Sequence, residues 1–171
     1  LTVLREDEDN VSANAVAEVI ANDPLMTVKL LRYLQSIKRR SQEHEVVEVE
    51  QALLMIGVET FLNNVPPEPR LDELLRGQMA ALVSLLHVVR RSRRASSYAF
   101  DWALQRRDMH YEEVRIAALL HELAEMLMWC FASAEMLRIQ TLQQQDKTLR
   151  SHAAQEQVFG FTLDELQLAL A

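Results

Sequence analysis

Apolar residues recur along this chain at the spacing of helices, and breaks between the periodic stretches are few. In "ANAVAEVIA", Val16, Val19 and Ile20 fall on one side of a helix that Ser12 is suited to cap. "NDP" interrupts the pattern. Asp23 can cap and Pro24 suits a first helical position, so a second helix is expected there. It carries Leu25, Val28, Leu31 and Leu34 at helical spacing, with Lys29, Arg32 and Tyr33 facing elsewhere. "KRRSQEHE" reads as a polar loop. A short helix, "EVEQALLMI", should end at a left-handed Gly57, and "VETFLNN" adds one or two turns. "PPEP", Pro66 to Pro69, is the clear break in the chain.

Beyond the break, Leu71 to Gln105 reads as one long or kinked helix with Gly77 as its weak point. Leu85, Val88, Val89, Ser92, Ala95, Ser96, Ala99 and Ala103 share one face, which becomes small-sided toward the C-terminal end and admits a close neighbour. Tyr111 to Phe131 is apolar nearly all round, the mark of a central helix. A further helix covers Ala134 to Gln144. "TLDE", Thr162 to Glu165, is a capping box that opens a last helix. The break divides the chain into an N-terminal helical subdomain, residues 1–65, and a second one, residues 70–171.

Composition agrees with an all-α fold. Three Gly and four Pro in 171 residues leave little turn chemistry for a sandwich or barrel, and good helix formers dominate. With 49% hydrophobic residues the chain can bury a core. The single cysteine, Cys130, excludes an intramolecular disulfide and reads as a small core residue. No apolar run reaches the roughly 18 residues of a membrane span, and the acidic, short opening "LTVLREDEDN" does not read as a signal peptide. A soluble cytoplasmic protein is the expectation. A net charge of −7 argues against general nucleic-acid binding but leaves room for a local basic patch.

The candidate chemistry lies in two places. "AALLHELAEMLMW", Ala117 to Trp129, sets His121 and Glu122 inside an apolar helix, where an ionisable pair needs a partner. Glu122 and Glu125 with Arg115 are expected to form that helix's polar edge. His121 is expected to bond to backbone or to a carboxylate. Elsewhere Arg90, Arg91, Arg93 and Arg94 make a dense basic run, with Arg106 and Arg107 further along and Tyr98 and Trp102 at its margin. This face suits an acidic partner or an anion. Met126, Met128 and Met136 near Trp129 and Phe131 read as core filling. No catalytic triad, Cys-His dyad or Gly-rich phosphate loop can be assembled.

Three stretches in order carry a family resemblance. "ANDPLMTVKLLRYLQS", followed by "EVEQALLMIGVETFLNNV", resembles the N-terminal half of HDOD domains, with their "DP…LL…S" and "Ai…LG" helices. "RIAALLHELAEML" is similar to that family's "aGLLHDIGKL" segment, and "EQVFGFTLDEL" to its "E…lG…H" segment. The resemblance covers roughly Ala13 to Ala171. It implies an HD-like multi-helix bundle of two packed helical subdomains, and a family that continues past the helix in which this chain stops. It also implies a bacterial, non-catalytic signal-transduction module. Such a module acts on a protein partner or a neighbouring signalling domain, without cofactor or membrane, and self-association into a homo-oligomer is compatible with this.

HD phosphohydrolases, the enzymatic relatives, hold metal with a His, a His-Asp pair and a distant Asp. On that pattern His121 and Glu122 stand at the His-Asp pair as degenerate metal candidates. The extra methylene of Glu moves its oxygen by about 1.5 Å. The first His position falls on His87 in one register and on Arg91 in another, and a guanidinium does not ligate metal. Ala124 and Glu125 replace Gly-Lys, Leu163 replaces a late His, and neither Asp146 nor Asp164 is singled out as the distant Asp. No catalytic or metal residue is therefore assigned. The rival functions are a divergent metal-dependent phosphohydrolase acting on a nucleotide, and a nucleic-acid or nucleotide-binding module using the Arg90–Arg94 face.

Overall fold

Asp23 accepts hydrogen bonds from the backbone N–H groups of Leu25 and Met26 at 3.0 and 3.1 Å, and so caps a helix whose first residue is Pro24. This is the start that the sequence predicts. It belongs to a computed structural model that describes residues 13–37, 49–64 and 70–170. Ser12, the segment "KRRSQEHE" and "PPEP" lie outside the described residues. The described helices are α1 (Ala13–Ala21), α2 (Pro24–Ile37), α3 (Val49–Ile56), α4 (Val58–Asn64), α5 (Leu71–Leu74), α6 (Met79–Gln105), α7 (Tyr111–Leu120), α8 (Leu123–Phe131), α9 (Ser133–Gln145), α10 (Ser151–Phe159) and α11 (Leu163–Leu170). No strand occurs among the described residues, and the fold is all-α.

The chain forms two compact units. One comprises Ser92–Leu120 with the described residues of Leu1–Glu68; the other comprises the described residues of Pro69–Arg91 and His121–Ala171. This grouping differs from the sequence division into 1–65 and 70–171. The second half of α6 and all of α7 join the N-terminal helices, because Ile116 of α7 enters the core that Val16, Ile20, Leu30, Leu53 and Phe61 build. Burying each of the larger of these side chains contributes about 2 kcal/mol.

The apolar face of the first unit is not wholly the one the periodicity suggests. Val19 is left 44% exposed. In α2 the residues fully shut from water are Pro24, Thr27 and Leu30, while Leu25, Val28, Leu31 and Leu34 are half-buried. Thr27 tolerates the core because its hydroxyl donates to the Ile20 carbonyl at 2.7 Å. Tyr33, expected to face away, packs edge-on against Phe61 at 6.4 Å. Apolar residues flank α2 on more than one side, so only its neighbours decide which stripe is buried.

In the second unit, Leu75, Leu85, Met126, Trp129, Met136 and Ala154 are buried. The expected single helix from Leu71 to Gln105 is interrupted. Gly77 adopts φ +82° between α5 and α6, a left-handed conformation that ends the helical run. Gly57, also left-handed at φ +84°, ends α3 as predicted, its N–H donating to the Leu53 carbonyl. The "TLDE" box closes both ways, with Thr162 N–H on the Glu165 carboxylate at 2.8 Å and Glu165 N–H on the Thr162 hydroxyl at 3.2 Å. The periodicity of the sequence does not mark helix α10. Its Gln155 side chain accepts from the Leu163 N–H at 2.8 Å and so links α10 to the start of α11. Met126 and Met136 fill the core, whereas Phe131 is 78% exposed. Cys130 is half-buried, and burial pushes its thiol pKa up.

Candidate functional site

The helix expected from Tyr111 to Phe131 is two helices. α7 ends at Leu120, His121 and Glu122 form a turn, and α8 starts at Leu123. Glu122 sits at φ −108°, ψ 26°, although no Gly or Pro marks the place. His121 is therefore exposed rather than enclosed by the helix. The backbone or carboxylate bond expected for it does not form: among the described residues His121 has no hydrogen bond and no ion pair.

Glu122 does have a partner. The Arg91 Nε lies 2.8 Å from its Oε1 and 2.7 Å from its Oε2, and the Arg91 Nη2 donates to Glu125 Oε2 at 2.7 Å. The two carboxylates are about a quarter exposed, at 26% and 28%, so water screens them only partly. Hydrogen bonding to Glu122 raises the Arg91 pKa above its ordinary range, against a smaller opposing effect of burial. Glu125 is held from its other side as well, by the Trp129 Nε1 at 3.4 Å from Oε1. These side chains all belong to the second unit.

Arg115, expected beside Glu122 and Glu125, belongs to the first unit and is engaged by its own neighbours there. It reaches Glu112 at 3.6 Å and lies over the Phe100 ring at 5.3 Å. The small-sided part of α6 does receive a close neighbour, since the Ser96 hydroxyl donates to the Arg115 carbonyl at 3.0 Å.

The other metal candidates do not come together. His87 is exposed on α6. Asp146 turns its carboxylate onto the Thr148 hydroxyl at 2.7 Å and N–H at 2.8 Å, and these bonds lower its pKa. Asp164 pairs with His152 at 3.1 Å. Among the described residues no group of three or more His, Cys, Asp or Glu side chains could hold a metal ion. A divalent ion does not fit at Glu122 and Glu125, because a guanidinium already occupies their oxygens and would repel it.

The order of the helices and the family segments that they carry can be set against known families. The model of the HDOD domain family matches residues 2–171, essentially the whole chain. The chain belongs to the HDOD domain family. Among curated proteins and among solved structures, none matches this HDOD domain. Its Arg90, Arg93 and Arg94 are exposed and pair with no carboxylate among the described residues. Arg91, grouped with them in sequence, is instead committed to Glu122 and Glu125. The sequence contained the signal for this in the register that places Arg91 at the first-ligand position, but periodicity could not choose that register over His87. No single described helix of the domain is long and apolar enough to cross a membrane.

Proposed function

We propose that this HDOD domain is a non-catalytic signal-transduction module that works by contact. It binds a protein partner or a neighbouring domain and shifts a two-state equilibrium by its different affinity for the two states. One observation carries the reading: the Arg91 guanidinium takes up the carboxylate oxygens of Glu122 and Glu125. Metal-assisted hydrolysis needs convergent ligands with a position open to water. Here a fixed cation of the protein stands against the acids, and His121 is exposed and unbonded among the described residues. What remains is a helical surface whose free arginines suit an acidic partner.

The test is elemental analysis of protein purified without chelator, paired with phosphodiesterase assays in added manganese or iron. The expected result is metal far below stoichiometric and no hydrolysis above buffer. Near-stoichiometric metal, with hydrolysis lost in a folded His121→Ala variant, overturns the reading.

A further inference from the structure

On α6 two aromatic side chains stand in water one turn apart, Tyr98 at 73% and Trp102 at 64% exposure. Large aromatic rings seldom stay so exposed without a use, because their area contributes most when a partner covers it. An open depression is lined by both rings together with Ala99, Asp101 and Gln105. Arg94 lies one turn before Tyr98 on the same face, and Arg106 one turn after Trp102, with its guanidinium 5.0 Å from the indole centroid. Arg93 and Arg107 flank the stripe. None of these four arginines pairs with a carboxylate among the described residues, in a chain whose net charge is −7. The backbone beside the stripe is also held under strain. Arg107 adopts φ +58° where glycine is favoured, and the N–H groups of Arg107 and Asp108 close onto the Leu104 and Ala103 carbonyls at 3.0 Å.

We infer that the Arg94–Tyr98–Trp102–Arg106 stripe of α6 docks an acidic polypeptide segment that inserts an apolar side chain between the two rings. Charge complementarity selects the occupant. The arginines at both ends offer bidentate sites for carboxylates, and the aromatic pair offers an anchor pocket between them. A nucleic acid is the poorer fit. Arg106 already covers one face of the indole on which a base would stack, whereas an apolar side chain needs only the open depression between the rings. The inference rests on the reading of this domain as a contact module and gives that reading a surface and a partner chemistry.

The experiment is fluorescence anisotropy on the whole chain with three labelled probes. They are a peptide in which Glu and Asp alternate with Leu and Phe, the same peptide with every acid replaced by Lys, and an oligothymidylate. The acidic peptide should bind with saturation, and the lysine peptide should not. Trp102→Ala, and separately Arg94→Glu with Arg106→Glu, should each weaken binding by roughly tenfold or more. Circular dichroism and melting should be unchanged, since all these positions are exposed. Absence of saturable binding, equal binding of the lysine peptide, or indifference to Trp102→Ala overturns the inference. So does tighter binding of oligothymidylate, which assigns the stripe to nucleic acid, or self-association abolished by Trp102→Ala, which assigns it to a second copy. Each of those results leaves the non-catalytic reading standing. Metal-dependent hydrolysis with the peptide still bound would reject that reading and keep the stripe.

Discussion

Arg91 and Glu122, 31 positions apart in the chain, meet through one Arg91 Nε that lies within hydrogen-bond distance of both oxygens of a single carboxylate. Glu125 accepts the remaining reach of the same guanidinium. The arrangement joins α6 to the first turn of α8, and it puts a positive charge where the helix N-terminus and two acids converge.

The energy of this pair is measurable. The Arg91 side chain is 55% exposed, so solvent screening holds its contribution below that of a buried pair. A double-mutant cycle on Arg91→Ala and Glu122→Ala should return a coupling of about 1 kcal/mol in urea unfolding, falling as salt is added. A coupling indistinguishable from zero at low salt would show that the contact adds nothing to folding.

His121 should matter little to folding. It is exposed and unbonded among the described residues, so His121→Ala should shift stability by less than about 0.5 kcal/mol. An enclosed, hydrogen-bonded histidine would cost roughly 1–3 kcal/mol on the same substitution. Thermal melting distinguishes the two, and a loss in the larger range would contradict the turn at His121 and Glu122.

His110 should titrate above its ordinary value. Its Nδ1 lies 2.9 Å from Glu113 Oε1, and this hydrogen bond, aided by the Glu113 charge, favours the protonated ring. Because the folded pKa is raised, the associated stability is present below the ordinary histidine pKa of about 6.5 and is lost as pH rises through the folded value. An NMR titration of the His110 ring should show the raised midpoint, and Glu113→Gln should bring it back down. An unchanged midpoint in that variant would assign the shift to another cause.

Arg107 is the place where the chain should be improvable. It holds a left-handed conformation at the end of α6 with the bonding of a glycine-terminated helix. Arg107→Gly should therefore stabilise by about 1 kcal/mol, since relief of the Cβ clash exceeds the added unfolded-state entropy. A lower melting temperature in the variant would mean that the Arg107 side chain itself supplies more than the strain costs.

Local chemistry in this chain is decided within four residues, and that much is legible from sequence. Asp23 before Pro24, Gly57 after α3 and the Thr162–Glu165 box each act through hydrogen bonds or a dihedral preference set by near neighbours. The ordered segments around "NDP", "LLHELAEML" and "FGFTLDEL" likewise mark the HDOD domain family, because they carry its pattern in one dimension. Tertiary structure alone decided the rest. Helical periodicity names a face but not its partner, so it could not tell that Val19 stays in water while Thr27 is buried. Nor could it break an apolar helix at His121 and Glu122, where no Gly or Pro stands. The pairing of Arg91 with Glu122 and Glu125 depends on which side of α6 meets the start of α8. That choice is made by packing across more than thirty residues of chain, not by any preference of the residues themselves.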